Sequence, residues 1–595
     1  MTSEKAAEGM SGQDNVLVCD VLVIGSGAGG LATAVTAAHH GLKVILAEKD
    51  NQLGGTTAWS GGWLWIPRNP LALEAGIVED EDAPLQYLRS ETGNRANDPR
   101  VSAFLANGPE MVSFFRDHTE MEWLPGNSIP DFHETPGSAK GGRSVTAAPY
   151  DGRKLGNWIE KLKPPLDIVS LAGMGIASGS DLGHFFNARR NPKSALHVFR
   201  RLARHGLDLL MHRRGMHLVN GNALVARLLR TAIDLDVTIL PGHPAERILR
   251  TYDRVTGAIC GGVEIHARRG VVLATGGFPH DSKRHGEMFE HVNEESSHHS
   301  AASASNTGDG LRLGESAGGT VSQDFFHAGA WSPVSLVPRK DGTTGNFPHL
   351  VERAKPGFIA VGPDGRRFVN EADSYHDFMS ALFAAYPGAT SPHAWLIADH
   401  AAQRRFGLGW AKPFPFPLGP YRACGYLKSG DSPQALARET GLPAETLAET
   451  IARFNFHAEK GEDPDFMRGR SAYNRIQGDP GNQPNPSLRP LEEGPLHAVR
   501  IVPGSLGTFA GLQTDECARV LEGNGKPIAG LFAAGNDMTS IFGGNYPAGG
   551  ITLGPAMTFG YIAARVLAKL PVTGVTACCV PQKATDEETM NDAVL

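Results

Sequence analysis

A chain of 595 residues with 41% hydrophobic residues and 72 glycines is long enough for two or more lobes around a large core and is rich in tight turns. Its formal charge of −7 argues against nucleic acid as a partner, since a polyanion binder carries a basic excess. The cysteines Cys19, Cys260, Cys424, Cys517, Cys578 and Cys579 form no CxxC pair, so they read as buried or incidental thiols in a reducing compartment, and no metal site is expected.

Residues 1–15 are polar and mixed in charge, without the features of a secretion signal, and are read as a tail. No apolar run approaches the roughly 20 residues of a membrane-spanning helix, so the expected location is the cytoplasm. Asp20-Val-Leu-Val-Ile24 then predicts a strand, Gly25-Ser-Gly27-Ala-Gly29-Gly30 a turn, Leu31 to His40 a helix, and Lys43 to Ala47 a second strand ending at Glu48. This is one βαβ unit. Its glycines let the backbone approach a pyrophosphate, the helix N-terminus stabilises the charge, and Glu48 accepts from ribose hydroxyls. A tight turn without ligand is the competing reading.

The next stretch, Gly54-Gly55-Thr56-Thr57-Ala-Trp-Ser60-Gly61-Gly62, offers a second close-approach surface, long enough to follow a pyrophosphate and an isoalloxazine ring. That favours FAD over NAD, and no second βαβ motif appears for NAD(P)H. Trp59, Trp63 and Trp65 line either the core or the substrate entrance. Residues 191–230 are basic with apolar residues at helical spacing. The expectation is a solvated helix packing its apolar face on the body, with peripheral membrane contact as the alternative.

Short strands are predicted at 237–240, 247–250, 258–263 and 270–274, the last entering Thr275-Gly276-Gly277. The cluster Glu294-Glu295-Ser-Ser-His298-His299 is metal-like in composition but is read as an exposed turn. Gly530 to Ala534 forms another strand before Gly535-Asn536, followed by a glycine-rich loop and a helix from near Pro555 to Leu570. Strand-then-glycine passages at both ends predict an α/β fold: a Rossmann-like FAD-binding domain in two parts, 16–331 and 504–570. An α+β catalytic domain is inserted at 332–503, and 571–595 is a tail.

From Glu48 to Gly62 the chain resembles the flavoprotein family of succinate dehydrogenase, soluble fumarate reductase and 3-ketosteroid 1-dehydrogenase. The resemblance continues through Thr275-Gly276-Gly277, Gly365-Arg-Arg-Phe-Val-Asn-Glu371, Gly507-Thr-Phe-Ala-Gly511, Ala533-Ala-Gly-Asn536 and Gly560. The cofactor set read from these passages is Gly25, Gly27, Ala28, Gly29, Gly30, Glu48, Lys49, Gly55, Thr56, Thr57, Ser60, Gly61, Gly62, Thr275, Gly276, Gly535, Asn536, Gly550 and Ile551. Members with covalent FAD carry a histidine where Gly55 and Thr56 stand, which implies noncovalent FAD. The terminal helix should present amides near Gly549, Gly550 and Ile551 to the flavin.

Position by position, Tyr375 stands at the reductases' proton-donor arginine, Tyr546 at their carboxylate-binding arginine, and Gly507 in place of a histidine. That excludes a fumarate site and matches the 3-ketosteroid 1-dehydrogenases. The resemblance implies that Tyr546 and the Gly550 N–H hold a ketone oxygen while Tyr375 removes the α proton and a hydride passes to flavin N5. The product would be an α,β-unsaturated ketone.

Phe132 lies where another tyrosine supports the base, a role left open to Tyr150, His133 or His376. The bland alternatives are that Tyr375 packs beside Phe378 and that His376 and Asp377 merely start a helix. The expected partners are a hydrophobic ketone, a 3-ketosteroid ahead of a cyclohexanone-type ring, and an external electron acceptor such as a quinone, a carrier or oxygen. Competing functions are an enone or enoate reductase and a non-catalytic flavin-binding subunit.

Overall fold

The computed structural model describes residues 16–293, 298–492 and 494–575. The expected N-terminal tail, most of the C-terminal one and Glu294 to Ser297 lie outside the described residues. The first strand, Val16–Ile24, buries Val21, Leu22 and Val23 completely, as a strand covered on both faces must. It pairs in parallel with Val44–Glu48 on one side and Val263–Leu273 on the other. Val44–Glu48 in turn pairs in parallel with Thr238–Pro241.

Pro527–Ala533 joins the same sheet beside Val263–Leu273, so residues from both ends of the chain build one layer. The strands expected at 247–250, 258–263 and 270–274 are present, longer than expected, and form one meander. Ala245–Thr251, Arg254–Cys260 and Val263–Leu273 run antiparallel, and Gly261 and Gly262 form the second turn.

The helix Ala28–His39 crosses this sheet and packs on the terminal helix, Leu553–Leu567. Contact is backbone-close, because a Cβ on Gly560 would sit 2.5 Å from the Gly29 carbonyl oxygen. The second sheet has the order Thr344–Pro348, Gly329–Pro338, Leu496–Thr508, Ala394–Asp399, Phe358–Val361, paired antiparallel. Beneath it Glu371 is fully buried between Arg367 (2.7 Å) and Arg468 (3.1 Å), with Arg367 also on Asp463 at 2.9 Å. This buried ion cluster fixes the loop that leads to the helix Tyr375–Ala385.

Three expectations need correction. The basic helix, Pro192–His212, turns its polar side inward and its apolar side to solvent. His298 is not on an exposed turn: it bonds Ser505 (2.8 Å) and His291 (3.1 Å) and packs against Phe289 and Trp331. Cys517 is disulfide-bonded rather than a thiol, whereas Cys19, Cys260 and Cys424 are free. Burial pushes the thiols of Cys19 and Cys260 up to about 12, which keeps them protonated. Among the described residues no helix is long and apolar enough to cross a membrane, and no group of side chains forms a metal site.

Candidate active site

Two kinds of glycine line the first turn. A Cβ on Gly25 would lie 2.2 Å from the Ala274 carbonyl oxygen, and one on Gly30 would lie 1.9 Å from that of Gly25, so these are dictated by the protein's own packing. Gly27, Gly55 and Gly61 are different. The nearest atom to a Cβ on Gly27 is 3.5 Å away, on Gly61 3.7 Å, and beside Gly55 nothing lies within 4 Å. Open space beside these residues, at the N-terminus of a helix and along the next loop, is what an extended pyrophosphate-containing ligand requires.

The polar groups around this rail are ordered by one another. Glu48 Oε2 accepts from Ser26 N (2.9 Å) and Oγ (2.6 Å), and Oε1 accepts from Asp50 N (2.9 Å). One acceptor site on Oε1 is left for a ribose hydroxyl. Thr57 Oγ1 accepts from Ala28 N at 3.0 Å, and Thr56 Oγ1 accepts from Ser303 N and Asn306 Nδ2. Ser60 donates to the Thr57 carbonyl. The Lys49 ammonium is directed to Ser305, Thr307 and Asp309, which use its three donors.

Two glycine turns far apart in the chain meet at Asp537. Its carboxylate accepts from Thr275 N (2.5 Å), Thr275 Oγ1 (2.9 Å) and Gly277 N (2.9 Å), tying the Thr275-Gly276 turn to the Gly535-Asn536 turn. Burial pushes this carboxyl up to about 6 even though the amides oppose it. Asp537→Asn sets an amide NH2 against a backbone N–H. The expected loss is about 1–3 kcal/mol, measured by urea unfolding of the apoprotein, together with weaker FAD retention.

Four aromatic rings form the reacting end. Tyr375 opens its helix, with Ser374 as the N-cap. Its ring meets Tyr546 edge-on with centroids 5.0 Å apart, and Phe132 stacks on Tyr546 at 5.8 Å while meeting Tyr375 edge-on at the same distance. Tyr473, absent from the expected set, packs on Phe132 at 4.6 Å.

The hydroxyls of Tyr375 and Thr552 lie close enough to the Tyr546 hydroxyl to favour its ionisation. Gly550 has φ +100, and a Cβ there would lie 2.7 Å from Trp65 N, so only glycine fits. Its carbonyl accepts from Trp65 N and Gly554 N, while its own N–H has no acceptor among the described residues.

Burial pushes both phenols up, Tyr546 to about 12 and Tyr375 well above its usual value near 10. Tyr546 and Tyr473 push Tyr375 further up, and the buried Arg353 opposes them. Arg353 spends its donors on the carbonyls of His349, Glu371 and Asp373, so it also positions the loop entering the Tyr375 helix.

Of the residues considered for support of Tyr375, His376 is pushed down to about 3 by burial and accepts from Trp331 N, so it is a neutral packing residue. Tyr150 packs under Arg227 with its hydroxyl unpartnered, outside the four-ring cluster. Burial works against a charged His133, but Asp377 (2.8 Å) and Glu91 (2.5 Å) outweigh it and hold the imidazolium up to about 10. Asp377 also accepts from the Ser374 cap at 2.7 Å, which carries that cation's influence to the base of the Tyr375 helix.

Asp537 directly follows the Gly535-Asn536 pair, so the sequence held a local signal for it. Tyr473 and Arg353 had none, being remote in sequence and brought in by packing.

A family described as FAD binding domain matches residues 20–553. The 4-oxocyclohex-2-ene-1-carboxylate 5-dehydrogenase of Sinomonas cyclohexanicum is 38% identical over 563 residues, covering 94% of this chain and 95% of that protein. The 3-oxosteroid 1-dehydrogenase of Mycolicibacterium smegmatis is 35% identical over 585 residues, with 94% and 98% covered. Among solved structures, 3-ketosteroid delta1-dehydrogenase from Sterolibacterium denitrificans in complex with 1,4-androstadiene-3,17-dione matches with a TM-score of 0.84 at 32% identity. That match covers 93% of this chain and 99% of the other.

Proposed function

The chain belongs to the FAD-binding flavoprotein family that includes the 3-oxosteroid 1-dehydrogenases, and from that premise we propose that it desaturates the bond beside the carbonyl of a cyclic ketone, 3-ketosteroids first. It is an FAD-dependent oxidoreductase acting on CH–CH groups. The residues around the glycine rail fit FAD. Gly27, Gly55, Gly61 and Glu48 would hold it, and the loop from Glu48 to Trp65 contains no histidine or cysteine to bond it covalently. Bound FAD supplies the two-electron acceptor for the hydrogen lost from the β carbon.

The observation that carries the reading is the edge-on phenol pair at 5.0 Å beside an amide with no acceptor among the described residues. A ketone oxygen lodged beside the pair would take the Tyr546 hydroxyl and the Gly550 N–H as its two donors. Those two donors stabilise the enolate as charge moves to oxygen. Tyr375 then takes the α proton. Phe132 packs against both phenol rings but offers no proton. An external acceptor, a quinone, a carrier or oxygen, closes the cycle.

A neutral substrate suits this pocket. Arg353, the cation acting on Tyr375, is fully buried and directs four of its five N–H donors to backbone carbonyls, so it is poorly placed to receive a substrate carboxylate. Turnover of a saturated-A-ring 3-ketosteroid with a dye acceptor should yield the conjugated ketone. Turnover confined to 4-oxocyclohexanecarboxylate would shift the proposal to a monocyclic acid, and turnover of neither would refute it. Because the base works only when ionised and its acidity is weakened by burial, kcat/KM should rise with pH from neutrality, about tenfold per unit until its pKa is reached. A flat profile across pH 7–9 would show that Tyr375 is not the base.

A further inference from the structure

The helix Pro192–His212 is built inside out. Ser194, His197, Arg201, His205 and Asp208 share one face at steps of three and four residues, and that face is inward. Each of them finds a hydrogen-bond partner there, although the buried Arg201 Nε has none among the described residues. Ser194 bonds His184 (3.0 Å), His197 bonds Asp181 (2.6 Å), and Arg201 donates to the Gly175 carbonyl (2.9 Å). His205 bonds the Ala172 carbonyl (3.0 Å) and Asp208 accepts from Met216 N (3.0 Å). The helix is therefore held by a polar seam, and its position leaves no room for the usual inward apolar stripe.

The opposite face carries Leu196, Phe199, Leu207 and Leu210, exposed by 48%, 68%, 56% and 82%. Exposed Ala203 and Gly206 fill the spaces between them. Arg200 and Arg204, one turn apart and both exposed, flank this stripe. Just before the helix Arg189 lies 4.3 Å over the ring of Phe414, which is itself 49% exposed, so the apolar surface extends onto a neighbouring loop. Residues 189–214 hold eight Lys and Arg against one acid, the inward Asp208, on a chain whose total charge is −7.

We propose that this face docks on an anionic lipid bilayer, the helix lying in the plane of the interface. Leu196, Phe199, Leu207 and Leu210 enter the acyl boundary while Arg200 and Arg204 reach out to headgroup phosphates. The helix has 21 residues, a length of about 30 Å, and presents an unbroken apolar stripe with cations along its edge. A second copy is the weaker occupant, since it would bring the same arginines and no exposed acid on the helix to receive them. The inference stands independently of the substrate.

Flotation of the full chain with phosphatidylcholine vesicles, with and without phosphatidylglycerol, tests it. The expected result is binding to the anionic vesicles that weakens with salt. Leu207→Glu with Leu210→Glu should lower the bound fraction at least about tenfold, and Arg200→Glu with Arg204→Glu should remove the preference for anionic over neutral lipid. Turnover of a water-soluble ketone should be unchanged in both, which certifies folding. Failure of the native chain to float, or flotation indifferent to both variants, would overturn the proposal. So would sedimentation showing a dimer that the Leu207→Glu, Leu210→Glu variant dissociates, because the face would then be an interface between copies.

Discussion

Tyr375→Phe is expected to lower kcat by about 10,000-fold, the upper range for removing a positioned general base, with the FAD content and the unfolding midpoint little changed. The substitution keeps the ring that meets Tyr546 and Phe132, so packing survives and only the proton acceptor is lost. That loss is about 5.5 kcal/mol of transition-state stabilisation. Rapid-mixing kinetics with the saturated ketone measures it directly. If Tyr375 is only a packing aromatic beside Phe378, the variant will turn over at nearly the native rate.

The second large effect falls on the cofactor end. Gly30→Ala places a methyl group 1.9 Å from the Gly25 carbonyl oxygen, and both belong to the rigid turn between the first strand and its helix. No rotamer relieves a backbone clash, so purified protein should lack the yellow of bound FAD and should unfold far earlier than the native chain. Gly27→Ala separates packing from binding. Its Cβ meets nothing closer than Thr57 Oγ1 at 3.5 Å, so the apoprotein should fold normally and bind FAD more weakly. Equal damage from both would mean that Gly27 serves the turn alone.

The βαβ unit was legible because its signal is local: a buried strand, glycines at fixed offsets, a helix and an acid follow one another within about thirty residues. The partnership of the 527–533 strand with the first sheet was legible for a similar reason, since the same strand-then-glycine pattern recurs there. Tyr375 and Tyr546 emerged only through resemblance, because nothing in their neighbours distinguishes a reacting phenol from a packed one.

What escaped was set by distant contacts. Tyr473 and Arg353 reach the phenols through folding, and Arg353's role depends on carbonyls from two other segments. The Pro192–His212 helix is instructive in another way. Its period was read, but a stripe at helical spacing says only that one side is apolar, not which side faces inward. Here His197, His205 and Asp208 found internal partners and decided the orientation. His298 likewise sits among aromatic rings that the surrounding acids and serines did not foretell.

The claim on which the account turns is that paired phenols, not cations, prepare an uncharged ring ketone for oxidation over bound FAD. Anaerobic mixing of the holoenzyme with a saturated 3-ketosteroid reads it most directly. The account predicts that the visible flavin absorbance of the native protein is bleached as the conjugated ketone appears, while Tyr375→Phe stays yellow on the same timescale. Native protein that remained oxidised with cyclic ketones, or a Tyr375→Phe variant bleached at the native rate, would contradict it.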